Sequence, residues 1–168
     1  MTKPTPPSPD ETFLATLNSS RLALGRDIYK NHPEVDEEWL NWITVHVINT
    51  VTFARILEDR GIAPENRLRN IVWNWNGEGR KQKLAVELGL GFTQLRNRFN
   101  GGVFKTGSME KFQISDHILE ETITNLYPPR SPFLLTQIPA PILGASYPRH
   151  STTSRYLPGN RPAPYLWR

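Results

Sequence analysis

The chain has 168 residues, with 20 Lys and Arg against 16 Asp and Glu, a formal net charge of +4 and no cysteine. That length suits about one domain, and the missing thiols exclude disulfides, cysteine nucleophiles and cysteine-ligated zinc. No apolar stretch approaches the ~20 residues of a membrane span, and the opening MTKPTPPSPD lacks the apolar core of a secretory signal. The expected setting is therefore the cytoplasm, away from membranes.

The charge is unevenly spread. Residues 1–60 carry six basic and nine acidic groups, residues 61–111 nine basic and four acidic, and residues 112–168 five basic and three acidic. A basic middle points to a polyanion, most simply nucleic acid. An excess of this size is also what an ordinary solvated face carries.

Residues 1–9 are rich in Pro, Thr and Ser and read as disordered. Asp10 reads as an N-cap, and Phe13, Leu17, Leu24 and Ile28 follow at helical spacing to about Lys30. Asn31-His32-Pro33 breaks that helix. Asp36 caps a second helix, with Glu37 and Glu38 placed favourably for the helix dipole. Its apolar positions, from Trp39 through Ile43, Val47 and Val51 to Leu57, are widened by Val45, Ile48 and Phe53 to most of the circumference. Such a helix needs neighbours on more than one side. Gly61 stands where a left-handed C-cap residue belongs.

Residues 64–76 read as a shorter helix, and Gly77 and Gly79 as a turn. Residues 80–88 and 92–99 read as two short helices around Gly89 and Gly91. FNGGVF is a tight turn. Ser115 or Asp116 starts a helix over Ile118–Leu126, which Pro128 ends. Then comes LYPPRSPFLLTQIPAPILG, too broken by proline for a helix and too apolar for a free linker. The predicted fold is all-α, five or six helices in an irregular bundle over residues 10–147, with an extended, proline-rich C-terminal strap.

Catalytic patterns are scarce. The four histidines, His32, His46, His117 and His150, are scattered, and none has zinc-ligand spacing. Glu58-Asp59 is a carboxylate pair at a helix end, where pairing with Arg55 or Arg60 is the simpler reading than acid–base work. KLAVELGLGFTQLRNRFN carries more content. Ala85, Gly89 and Leu95 fit a helix-turn-helix register, which would leave Gln94, Arg96, Asn97 and Arg98 outward to read base edges. Two plain helices, with Arg96 and Arg98 solvated or on phosphate, account for the same residues.

Three stretches in order resemble one family. VTFARILEDRG (Val51–Gly61) resembles the helix ending Phe-Leu-Arg-x-x-Glu-Asp-Arg-Gly in fused type IIG restriction–modification enzymes and their BREX-type adenine methyltransferase relatives. RFNGGVF (Arg98–Phe104) is similar to their Tyr/Phe-Asn-Gly-Gly-Leu-Phe turn. Leu126–Tyr147 resembles their Leu-Tyr-x-Pro-x-Ser-Pro-Tyr segment and the Ile-Pro-x-x-x-Leu-Gly-x-x-Tyr-Glu that follows. RDIYKNHPEVDEEWLNW fits the entry to the first stretch, so the resemblance covers residues 13–147.

The resemblance implies a helical connector lying ahead of an adenine-N6 methyltransferase domain and, in the fused enzymes, after a nuclease. Phe133, Leu134, Leu135, Ile138, Ile142 and Leu143 would line the strap that delivers the chain to that domain. The chain departs from the family after Tyr147. It lacks the Asn-Pro-Pro-Tyr motif, which Tyr127-Pro128-Pro129 only imitates, and the glycine loop for S-adenosylmethionine. The expectation is a fragment of a restriction–modification enzyme without its own catalytic site or cofactor, in which residues 148–168 are a disordered, non-native tail. S-adenosylmethionine, and magnesium where a nuclease is attached, belong to the parent family. DNA is the implied partner, together with a methyltransferase domain or subunit. Phosphate-contact candidates are Arg67, Arg69, Arg80, Lys81, Lys83, Arg96, Arg98 and Lys105. Glu58, Asp59 and Arg60, and Asn100, Gly101 and Gly102 of the turn, take structural roles. The alternative is a small helix-turn-helix DNA-binding protein, or a companion subunit whose strap docks on another chain.

Overall fold

Two helix starts are written locally in the sequence. Pro9 opens the first helix at a position where its missing N–H costs nothing, and Ser8 caps it. The Ser8 hydroxyl accepts from the Glu11 N–H at 3.2 Å while Glu11 Oε2 accepts from the Ser8 N–H at 2.8 Å, a complete capping box. The cap is therefore Ser8, two residues before the predicted Asp10, because proline at the first helical position carries the helix further back. Asp36 caps the second helix as expected, its Oδ1 accepting from the Trp39 N–H at 2.9 Å.

The computed structural model describes residues 7–99, 109, 111–131 and 135–138. Five α-helices stand among them: α1 (Pro9–Asn31), α2 (Glu37–Asp59), α3 (Arg67–Gly77), α4 (Leu84–Phe99) and α5 (Asp116–Thr124), with a short 3-10 helix at Leu135–Gln137. No strand occurs among the described residues, and the architecture is all-α. Beyond Phe99, the predicted FNGGVF turn, with Asn100, Gly101 and Gly102, and the following Lys105 lie outside the described residues.

α1 and α2 form an antiparallel pair, crossing closely at Gly25, where an added Cβ would lie 3.8 Å from Thr44 Oγ1. α2 is the central element, touching α1, α3 and the 3-10 helix. It buries Ile43, Val47, Ile48, Val51, Ala54 and Leu57, and with them the polar Arg55 and Glu58. Its all-round apolar pattern is thus satisfied on several sides. Gly61 ends this element at φ 66°, the left-handed conformation that glycine adopts without a side-chain clash.

α3 and α4 make a second antiparallel pair. Arg67 at the start of α3 donates to the Gly91 carbonyl at 3.1 Å, and Trp75 near its end donates from Nε1 to the Gln82 carbonyl at 2.7 Å. α4 runs unbroken through Gly89 and Gly91, which corrects the two short helices read from the sequence. Glycine lowers helix propensity by about 1 kcal/mol, and packing overrides it here. Ile71 Cδ1 sits 2.7 Å from where a Cβ on Gly91 would be, so Gly91 admits α3 against the helix.

The other helix starts are capped from elsewhere in the fold. Asn66 precedes α3 in a left-handed conformation and makes no side-chain cap. Glu58 of α2 supplies it instead, Oε1 accepting from the Leu68 N–H at 2.8 Å. Asp116 of α5 accepts from the Leu84 N–H at 2.9 Å and so caps α4. Asp27 of α1 accepts from both the N–H and the hydroxyl of Ser115, at 2.7 and 2.6 Å, at the entry to α5. Each carboxylate satisfies N–H groups that a helix start leaves unpaired.

Candidate functional site

The helical repeat of Ala-Arg-Ile-Leu-Glu-Asp places Arg55, Glu58 and Asp59 on one face of the last turn of α2, since residues three and four apart are neighbours. That face is buried: Arg55 and Glu58 are 4% and 3% exposed. Charges taken out of water need partners for every lone pair and proton. Arg55 Nη1 pairs with Asp59 Oδ1 and lies 3.7 Å from Glu58 Oε2. Arg55 Nε donates to the Leu126 carbonyl at 3.3 Å, and its guanidinium lies 4.4 Å from the centre of the Tyr127 ring. Tyr127 donates its hydroxyl proton to Glu58 Oε2 at 2.6 Å, and Leu135 donates its N–H to Asp59 Oδ2 at 2.7 Å.

The result is a latch. The end of α2 holds the start of α3 through Leu68 and the strap through Leu126, Tyr127 and Leu135. Leu126, Tyr127, Ser131, Leu135 and Ile138 are all buried. The strap therefore packs on the bundle as expected for Leu135 and Ile138. Phe133, Leu134, Ile142 and Leu143 lie outside the described residues. Burial pushes the Glu58 carboxyl above its ordinary value, against the pull of the Tyr127 hydroxyl, the Leu68 N–H and Arg55, and neighbouring Asp59 adds to the rise. Burial, then the Glu58 charge, raises the Tyr127 hydroxyl, which keeps its proton and remains a donor.

Both arginines beside the carboxylate pair are candidates to neutralise it, and the geometry gives one of them that place. Arg55, not Arg60, is the partner. Arg60 is exposed and closes α2, its N–H donating to the Ile56 carbonyl at 3.0 Å. All four oxygens of Glu58 and Asp59 already accept hydrogen bonds or meet Arg55. Such a pair does not fit a magnesium ion, which needs open oxygen donors. Among the described residues no group of three or more His, Asp or Glu is placed to hold a metal.

The cations divide between the two ends of the α3–α4 pair. Arg67, Arg69, Arg96 and Arg98 lie towards one end, where Arg67 also donates to Gln94 Oε1 at 2.5 Å. Arg80, Lys81 and Lys83 lie at the other, about 16 Å away for an 11-residue helix. At that far end Arg80 meets Glu120 at 3.5 Å and Lys83 meets Asp116 at 4.0 Å. Arg67 is half-buried and engaged by α4, whereas Arg69, Arg96 and Arg98 are exposed. The predicted phosphate contacts among the described residues therefore do not form a single patch. Gly89 is helical, so the turn of the helix-turn-helix register is not formed there.

Sequence reading missed the partners of the pair. Tyr127 reads as part of the strap, and nothing local marks it as the donor to Glu58. The Leu-Tyr of the third resembling stretch is the one signal that points to it.

The chain is distantly similar to a restriction–modification enzyme. Over 141 residues it is 25% identical to the Type II restriction enzyme and methyltransferase RM.Eco57I of Escherichia coli, a match that covers 83% of this chain. The chain spans 13% of that protein's length. No protein-family model matches it, and no solved structure is a significant match. No helix among the described residues is long and apolar enough to cross a membrane.

Proposed function

We propose that this chain is the helical connector of a restriction–modification enzyme of the adenine-methyltransferase kind, a scaffold without a catalytic site of its own. The observation that carries it is the latch. Two of the three stretches that resemble the type IIG family, one around Arg55-Glu58-Asp59 and the other around Leu126-Tyr127, are 69 residues apart at Glu58 and Tyr127 yet close on each other in a single buried network. A connector has to deliver the chain to the next domain in a fixed direction, and a strap held at Leu126, Tyr127 and Leu135 supports that task. The similarity to RM.Eco57I over most of the chain supports the restriction–modification part of this reading. In this reading S-adenosylmethionine and magnesium belong to the methyltransferase and nuclease portions. The exposed Arg69, Arg96 and Arg98 contact DNA phosphates.

The test uses the purified 168-residue chain with tritiated S-adenosylmethionine, magnesium and mixed-sequence duplex DNA. No methyl transfer and no cleavage are expected, with weak duplex binding that falls steeply as salt rises. Unaided methylation or cutting of the duplex sinks the proposal. A preference of several kcal/mol for one sequence over random DNA replaces it with the DNA-reader alternative.

A further inference from the structure

A cleft of about 550 Å³ opens between α3, the end of α5 and the strap. Arg69 and Trp73 stand on its α3 wall, and Ile123, Tyr127, Pro128 and Pro129 are among its other lining residues. Trp73 is 70% exposed, the most exposed of the large apolar side chains described. Burying such a ring is favourable, so its exposure beside a cleft calls for an occupant. Arg69 is the only charged side chain among the described residues that line the cleft. Two carboxylates bond its lining residues without being part of the described lining: Glu58 accepts from Tyr127 at 2.6 Å, and Glu120 is engaged by Asn76 at 2.9 Å and by Arg80 at 3.5 Å.

We infer that this cleft takes an unstacked nucleotide, with its base on the Trp73 indole and its phosphate on Arg69. Arg69 and Trp73 are four residues apart on one helix face, roughly 6 Å between Cβ atoms, a separation that a nucleotide bridges between base and phosphate. An exposed aromatic beside a cation is the recognition chemistry of single strands, where stacking tolerates any base. The lone cation selects a polyanion over a neutral proline-rich peptide, the other occupant that a tryptophan–proline surface accepts. The inference rests on the DNA reading only for the choice of polymer.

The experiment is anisotropy of a labelled short oligothymidylate titrated with the full chain, beside a duplex of equal length, an oligouridylate and a proline-rich peptide. Single strand should bind, and Trp73→Ala should weaken it roughly 5- to 150-fold, the worth of one base–aromatic stack. Trp73→Phe should restore most of the affinity. Arg69→Ala should weaken binding and lower the salt slope by about one. Duplex binding should be insensitive to Trp73→Ala, and tighter binding of oligouridylate would name RNA as the source of the nucleotide. Circular dichroism of each variant establishes that it is folded. The inference is overturned if folded Trp73→Ala binds the single strand as wild type does, or if the peptide occupies the cleft and the oligonucleotide does not. Neither result touches the connector proposal, which fails only on unaided catalysis or sequence-specific duplex binding.

Discussion

The hydroxyl of Tyr127 donates to Glu58 Oε2 at 2.6 Å, across 69 residues of chain, and both side chains are buried. Glu58 thereby serves two elements at once, since its other oxygen caps α3. Removing only the hydroxyl leaves one oxygen of a buried carboxylate without its donor. Tyr127→Phe keeps the ring against Arg55 and should destabilise the fold by about 1–3 kcal/mol. Denaturant unfolding checks this. A midpoint equal to wild type would mean that the bond carries no weight.

Glu58 also gives the latch a pH signature. Its carboxyl is held above the ordinary value in the folded protein, so folding favours its protonated form. The stabilisation from that preference is fully present below the unfolded value, about 4.3 for a glutamate, and is lost as pH rises through the folded value. Glu58→Gln removes this titration. Wild type should gain stability relative to Glu58→Gln on acidification from pH 7 towards 4, measured as the difference in unfolding free energy. A difference that moves the other way contradicts the assignment.

Asp59 restrains the strap through the Leu135 N–H. In wild type the peptide bond after Arg130 is guarded, because Ser131 is fully buried and its N–H donates to the Tyr127 carbonyl at 3.0 Å. Asp59→Ala should loosen this segment before the rest of the bundle. Trypsin should cut after Arg130 several-fold faster in the variant under native conditions, because local opening governs such cleavage.

Two glycines should respond with opposite signs. Gly61 lies at φ 66°, so Gly61→Ala should cost roughly 1–2 kcal/mol through left-handed backbone strain. Gly77 is the last residue of α3, and nothing lies within 4 Å of an added Cβ. Gly77→Ala should stabilise by about 0.4–1 kcal/mol by restricting the unfolded chain. Thermal unfolding of both variants reads the two shifts side by side.

What the sequence discloses follows the reach of each interaction. Asp36 and Gly61 act within their own turn, and both are legible there. The all-round apolar face of α2 announces burial on several sides. Glycine is ambiguous in a different way. Gly89 and Gly91 argue locally for a break, and only the approach of Ile71 from α3 explains a continuous α4. The carboxylates divide similarly. Arg55 and Asp59, four residues apart, are a readable pair, whereas Leu68, Tyr127 and Leu135 reach the Glu58 and Asp59 carboxylates from 10 to 76 residues away along the chain. Distant partners of this kind leave no local pattern, and the family resemblance of the Leu-Tyr stretch is the nearest thing to a signal.

The capping of α3, α4 and α5 from other helices bears on how the chain can be subdivided. A helix with its own cap retains some independence when its neighbours are cut away. Here Asp27 secures the entry to α5, Asp116 that to α4 and Glu58 that to α3. Trimming residues 1–31 would therefore unseat a helix that begins at Asp116, and a minimal fragment cannot be obtained by cutting at helix boundaries. Probes placed on different helices should therefore report a single unfolding transition.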